Sequence, residues 1–342
     1  MSINTQFIHN DALVIDSHND TIVSHIRRGN LSLAGRETND FHSGTVLSLR
    51  GPLDTQRSLI DIQIDFPKMR AGGIDAAFFA VDVTIARNNH LAYALDALGY
   101  FYNEIKRDEK VIIAQSAEDI RQAKSEGKLA TILTVENSDV TERSLNILNM
   151  LHRLGVRSIG LTHDPISWAA AGNAETESGG GLTDYGKTLV KEMNQLGMLV
   201  DVSHISERGF WDLIETTEKP FIASHSNCRS LCNHPRNLTD DQITAIAEIG
   251  GSIGITFVPK FIDSAKPTFE RLIDHIDHAV QLAGPSTVGI GSDFDGGGTL
   301  ISDAIMFPRI TEELLKRNYS AQDIINILGQ NHLRVLEAAL GN

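Results

Sequence analysis

The sequence predicts an α/β fold: a closed (β/α)8 TIM barrel with a C-terminal helical extension. Three observations predict it. Eight short apolar or β-branched runs alternate with stretches of helical periodicity along the 342 residues, and eight strand–helix units argue for a closed parallel sheet. The first run ends in Asp16-Ser17-His18-Asn19-Asp20, where an open dinucleotide-binding sheet would carry a Gly-rich turn. Ionisable side chains follow almost every run, which is where such a barrel keeps its chemistry. No linker splits the chain, so residues 1–342 read as one domain.

The elements follow in order. The candidate strands are Leu13–Asp16, Ile74–Val81, Ala130–Val135, Ser158–Leu161, Leu199–Val202, Phe221–Ala223, Ser252–Phe257 and Val288–Gly291. Apolar residues at three- and four-residue spacing predict helices over Ser144–Leu154, Tyr185–Leu196, Ser206–Thr216, Thr239–Ile249 and Thr268–Leu282, and a helical tail over Thr311–Leu340. Thr239 with Gln242 has the form of a capping box, and Ser206 marks another start. Gly155 and Gly197 stand just past helices, where a left-handed cap favours glycine.

Composition narrows the function. Hydrophobic residues make up 41% and charged residues 22%, ordinary for a globular chain and against wholesale disorder. A net charge of −14 repels phosphate backbones, so no nucleic-acid partner is expected. Two cysteines, Cys228 and Cys232, make no disulfide framework and read as reduced thiols. No basic, apolar leader, no run of membrane-spanning length and no lipid-anchor tail is visible, so a soluble cytoplasmic protein with no membrane partner is expected. The 13 histidines are the unusual number and hint at metal or proton chemistry.

Those histidines fall in place at the strand ends. His18 and Asp20 follow the first run, Asp82 the second, Glu136 the third, His163 the fourth, His204 the fifth, His225 the sixth, and Asp293 and Asp295 the eighth. Any one alone is more often a cap or core group than a ligand; seven of eight strand ends together are hard to explain that way. His18 and Asp20, two apart, point to the same side and can hold one divalent ion. His204 and His225 close consecutive strands and can hold a second, with Glu136 placed to bridge both. Nitrogen and oxygen ligands without cysteine suit zinc, and also manganese or iron. Asp293 can take the proton of the attacking water and pass it to a leaving amine. His163 can stabilise an oxyanion, although a structural histidine explains its local sequence nearly as well. Asp82 is the weakest member, and Asp295, beside three glycines, reads as a turn cap.

With these residues in view, the sequence resembles the membrane dipeptidase (renal dipeptidase) family of amidohydrolase-like metal barrels. The resemblance covers nearly the whole chain. It rests on Ile15-Asp16-Ser17-His18-Asn19-Asp20, Thr134-Val135-Glu136 and Leu161-Thr162-His163, on Asp201-Val202-Ser203-His204, Ala223-Ser224-His225-Ser226 and Pro235-Arg236-Asn237, and on Gly291-Ser292-Asp293-Phe294-Asp295-Gly296. It implies a cytoplasmic, microbial-type zinc dipeptidase with two Zn2+ per chain, in which a metal-activated hydroxide attacks the peptide carbonyl. His18, Asp20 and Glu136 would bind one ion, and Glu136, His204 and His225 the other. His163 would contact the substrate and the tetrahedral intermediate. Arg236 would grip the C-terminal carboxylate of a dipeptide, and Asp293 would hold the free amino group and handle the proton. The resemblance allows a D-residue at the C-terminal position and suggests a homodimer.

Two departures stand out. Asn137-Ser138 follow the bridging Glu136 where relatives often carry Gly, and both residues can hydrogen-bond a neighbouring ligand. Val258 stands where some relatives place a carboxylate-binding Tyr. Two other readings remain open at this level: the same metal barrel acting on another amide, an N-acyl amino acid or a lactone, and a non-enzymatic relative, against which the complete ligand set argues.

Overall fold

A computed structural model describes residues 3–35, 49–51, 62–86, 89–175 and 179–341. Among them are nine strands: β1 (Ile15–Asn19), β2 (Ala76–Asp82), β3 (Val111–Ile113), β4 (Leu129–Glu136), β5 (Val156–Gly160), β6 (Leu199–Asp201), β7 (Ile222–Ala223), β8 (Ser252–Ile255) and β9 (Val288–Ile290). Eight close a parallel barrel in the order β1-β2-β4-β5-β6-β7-β8-β9, and β9 returns to β1 through Asp16↔Ile290. The expected eight-stranded barrel is therefore present, with one strand added. That strand, β3, pairs with the start of β4 from Val111↔Leu129 to Ile113↔Thr131, and β5 takes over the β4 edge from Leu133 onward. Its Val-Ile-Ile run is too short to stand out in the sequence, and it does not reach the barrel mouth.

β2 and β4 are buried along their whole length, so each reads as a nearly continuous apolar run rather than an alternating one. Successive side chains still part to two sides. Phe79 packs outward on Phe101 of the helix His90–Ile105 with ring centres 4.9 Å apart. Its neighbour Phe78 joins Ile15, Ile132, Leu199 and Ile222 in a second cluster, together with Leu333 and Leu336. Those last two belong to the helix Asn331–Leu340, which lies against β1, β6, β8 and β9. The C-terminal extension thus plugs the barrel at the end away from the strand C-termini. Polar pins lock the seam. Asp16 accepts from Ser292 N and Ser292 Oγ, both at 2.7 Å, and Ser17 Oγ donates to Ser224 O and Ile290 O.

The expected helices recur within a residue or two, as Leu145–Arg153, Asp184–Leu196, Glu207–Ile214, Asp240–Glu248 and Phe269–Ala283. Thr239 and Gln242 form the capping box, Ser206 caps its helix, and Gly197 takes the left-handed conformation at φ 69°. The tail is not one helix: Pro308–Lys316, Ala321–Ile325 and Asn331–Leu340 follow one another. The first strand starts two residues later than the apolar run and extends to Asn19, which places His18 inside it. Helices Ile3–Asp11, Phe66–Gly72, His90–Ile105 and Ala117–Ser125 were not expected. No described helix is long and apolar enough to cross a membrane. Cys228 and Cys232 are both buried and free.

Candidate metal centre and substrate pocket

The C-terminal ends of the strands surround a cavity of about 280 Å³, lined among others by Asp20, Glu136, His163, His225, Arg236 and Asp293. The ionisable side chains come from seven strand ends, with His18 and Asp20 sharing β1 and Arg236 standing beyond His225 in the segment after β7. His18 lies within β1 and Asp20 just after it; Asp82 ends β2 and Glu136 ends β4. His163, His204, His225 and Asp293 follow β5, β6, β7 and β9 by two or three residues. Sequence separations of up to 275 residues thus converge on one mouth.

Glu136 is at the centre. Its Oε2 is 4.0 Å from His18 Nε2, and its Oε1 is 3.0 Å from His204 Nε2 and 3.7 Å from His225 Nε2. His18 Nε2 is also 3.5 Å from Asp20 Oδ2. Two groups of ligand atoms, His18–Asp20–Glu136 and Glu136–His204–His225, therefore share one carboxylate, with all atoms of each group within 4.8 Å of one another. His163 stacks on His204 with ring centres 4.0 Å apart and also approaches Glu136 and Asp82.

The donor set fits divalent metal. Asp20 Oδ1 and Glu136 Oε1 are buried with no hydrogen-bond partner, although buried carboxylate oxygens are nearly always satisfied. Burial, and then the neighbouring charges of Asp20 and Asp82, push the Glu136 carboxyl well above its ordinary value. Burial followed by Asp20 raises Asp293 to about 7. Burial opposes charge on His18, yet Asp20, Glu136 and Asp293 raise it to about 10. Such crowding of buried carboxylates is costly without a cation among them. Burial, and then nearby positive groups, hold His204 and His225 well below the ordinary imidazole value, the neutral state a metal ligand needs.

Hydrogen bonds orient both rings. His204 Nδ1 donates to Asp164 Oδ1 at 2.7 Å. His225 Nδ1 lies 2.8 Å from Ser224 Oγ, whose own proton goes to Asp201 Oδ2 at 2.5 Å. That hydroxyl must then accept from His225, so each imidazole keeps its Nε2 lone pair for the pocket. Asp164, Ser224 and Asp201 were assigned no role from sequence. The signal was a carboxylate beside or three residues before a strand-end histidine.

Backbone strain gathers here too. His204 has φ 72° and Asp293 φ 59°, conformations non-glycine residues seldom adopt and functional sites tend to hold. Asn137, after Glu136, has φ 77°, which accounts for glycine being at home there. Its side chain donates to Thr84 Oγ1 and accepts from Asp139 N, and Ser138 Oγ donates to Leu161 O, so neither residue hydrogen-bonds a ligand as expected. Gly296 is required where it stands: a Cβ would lie 2.1 Å from Asp20 Oδ2. Asp295 does not cap its own loop; its carboxylate accepts from Gln63 N at 2.9 Å, 232 residues away.

Arg236 is buried beside the candidate metal ligands. Its Nη2 donates to His225 O, and its Nε lies 3.8 Å from Asp164 without a hydrogen bond. Its guanidinium rests on the Phe261 ring, and Val258 lines the same wall. The segment after β8, which offers no ligand in sequence, thus supplies pocket wall through Val258, Lys260 and Phe261.

Residues 3–341 match the family described as membrane dipeptidase, peptidase family M19. The chain is 36% identical over 265 residues to dipeptidase verJ of Clonostachys rogersoniana, covering 76% of this chain and 68% of that one. It is 33% identical over 292 residues to dipeptidase aclJ of Aspergillus oryzae, covering 80% and 69%. Among solved structures, a metallo peptidase from Rhodobacter sphaeroides, liganded with a phosphinate mimic of the dipeptide L-Ala-D-Ala, superposes with a TM-score of 0.83 at 25% identity, covering 96% of this chain and all of that one.

Proposed function

The chain belongs to the membrane dipeptidase family, as a metallo-dipeptidase of peptidase family M19, and from that premise we propose that it is a two-zinc enzyme hydrolysing dipeptides, including those with a D-residue at the C-terminal position. The observation that carries the reading is Glu136, whose two oxygens face His18 on one side and His204 with His225 on the other. His18, Asp20 and Glu136 would hold one ion, and Glu136, His204 and His225 the second. Bound zinc brings the pKa of water to about 7 and stabilises charge developing on a carbonyl oxygen.

The chain's own residues supply the rest. Arg236 presents a guanidinium fork to the C-terminal carboxylate. Asp293, at the end of β9 beside the proposed ligands, takes a proton from the attacking water and returns it to the leaving nitrogen. As a carboxylate it also holds the substrate's free amino group. His163, at the pocket wall, donates to the oxyanion as it forms. A pocket that recognises both the amino and the carboxyl end of its substrate excludes longer peptides. The peptidase from Rhodobacter sphaeroides binds a mimic of L-Ala-D-Ala, which supports both the dipeptide length and the D-residue.

The test is turnover of L-L, L-D and D-D dipeptides against N-acyl amino acids, with and without chelator, alongside elemental analysis. Close to two zinc equivalents and chelator-sensitive dipeptide turnover are expected. A metal-free preparation that is fully active overturns the reading.

A further inference from the structure

We infer that this enzyme favours dipeptides whose C-terminal residue is acidic, and that Lys260 selects them. The inference rests on the reading of Arg236 as the anchor of the C-terminal carboxylate. It starts from an uneven distribution of charge around the pocket. Of the carboxylates lining the pocket, Asp20, Asp82, Glu136, Asp293 and Asp295 follow or end β1, β2, β4 and β9, and Asp164 follows β5. The stretch of wall that follows β7 and β8 carries Arg236 and Lys260 instead.

Both cations gather on one aromatic ring. The Arg236 guanidinium carbon lies 5.3 Å from the centre of Phe261, and Lys260 Nζ lies 5.0 Å from it. His234 packs on the same ring at 4.5 Å. Burial, then the charges of Lys260 and Arg236, lower the His234 imidazole, which accepts from Arg236 N and so adds no charge of its own. Arg236 has Asp164 at 3.8 Å; among the described residues, Lys260 has no carboxylate within ion-pair distance.

One α-carboxylate needs one of these cations. Two cations beside one apolar ring are better served by two anions than by one. Aspartate and glutamate place a second carboxylate one short side chain from the first, so that the buried Arg236 and the exposed Lys260 beside the same ring can each take one. The remaining cation of the wall, Arg27, ends the helix Thr21–Arg27 that follows Asp20.

The experiment measures kcat and KM for Ala-Asp against its neutral isostere Ala-Asn, and Ala-Glu against Ala-Gln, with L and D C-terminal residues, at low salt. The expected result is a kcat/KM about fivefold higher for the acidic member of each pair, expressed in KM. Lys260→Met should bring that ratio close to one, and Lys260→Glu should invert it and favour Ala-Lys. Each ratio is taken within one protein, so a general loss of activity in a variant leaves it readable. Equal values for Ala-Asp and Ala-Asn in the unaltered enzyme overturn the inference alone, as does a ratio that survives Lys260→Met. No chelator-sensitive turnover of any dipeptide overturns the dipeptidase reading, and this inference with it.

Discussion

Asp164 accepts a hydrogen bond from His204 Nδ1 at 2.7 Å, while Nε2 of the same ring stands 3.0 Å from Glu136. Burial works to raise the Asp164 carboxyl, but the hydrogen bond from His204 and the charge of Arg236 outweigh it and hold it well below the usual range. An ionised carboxylate only accepts, so the imidazole proton is on Nδ1 and the lone pair is on Nε2. Asp164→Asn keeps the shape and removes that compulsion. Its side chain is 46% exposed, so the fold should tolerate the change. Zinc release to a competing chelator should become about tenfold easier, with turnover restored by excess zinc. Unchanged zinc retention would show that Asp164 does not fix the ring.

Arg236 offers a second test, aimed at substrate rather than metal. It is buried, and its Nε has no hydrogen-bond partner. Arg236→Ala should raise KM for dipeptides by about tenfold or more, the worth of a charge-assisted pair. Dipeptide amides lack the carboxylate and should lose much less. An equal loss on both substrate types would reject the anchoring role.

Asn137 separates backbone strain from hydrogen bonding. At φ 77° a non-glycine residue is strained by about 1–2 kcal/mol, and the two side-chain hydrogen bonds, to Thr84 and from Asp139, offset part of that. Asn137→Gly relieves the strain and loses the bonds, so unfolding free energy should change by no more than about 1 kcal/mol. Asn137→Val keeps the strain and loses the bonds, and should cost about 2–4 kcal/mol in denaturant unfolding. Equal costs for the two variants would discard this account.

The candidate metal ligands were legible because barrel chemistry lies at strand ends, and a histidine or carboxylate after an apolar run is a local signal. His18, Glu136, His204 and His225 needed only the order of the runs to be brought together. The partners of those ligands were less legible. Asp164 and Asp201 sit in the same stretches of sequence, but which ring nitrogen each meets depends on the positive φ at His204 and on the Ser224 hydroxyl, which spacing does not encode. Lys260 and Phe261 carry no such signal, because an ammonium beside an aromatic ring is not a ligand pattern. β3 was missed because three residues carry too little periodicity, and the helix Ile3–Asp11 because its apolar face is weak.

The barrel plug gives a pH dependence with a definite sign. His332 lies on the C-terminal helix under Gly289, with Nδ1 3.0 Å from Ser252 Oγ and Nε2 3.2 Å from Ile290 O. A Cβ on residue 289 would fall 2.2 Å from that ring, so the fit leaves no room for water. Burial lowers the His332 imidazole to about 4 from its ordinary 6.5. The unfolded chain therefore binds the proton more readily than the folded one. The stability this neutral ring contributes is present above about pH 6.5 and is lost as the pH falls toward about 4. Between about pH 7 and about pH 4.5 the loss from this single group is about 2 kcal/mol. His332→Gln keeps one donor and one acceptor and cannot titrate. Metal loss in acid affects both proteins alike, so the difference between their pH profiles isolates the ring. The variant should lose about 2 kcal/mol less unfolding free energy than the unaltered chain over that interval, measured by denaturant unfolding at each pH. Parallel profiles would mean that His332 is protonated as easily in the folded barrel as in the unfolded chain, and that the plug is not the acid-sensitive element.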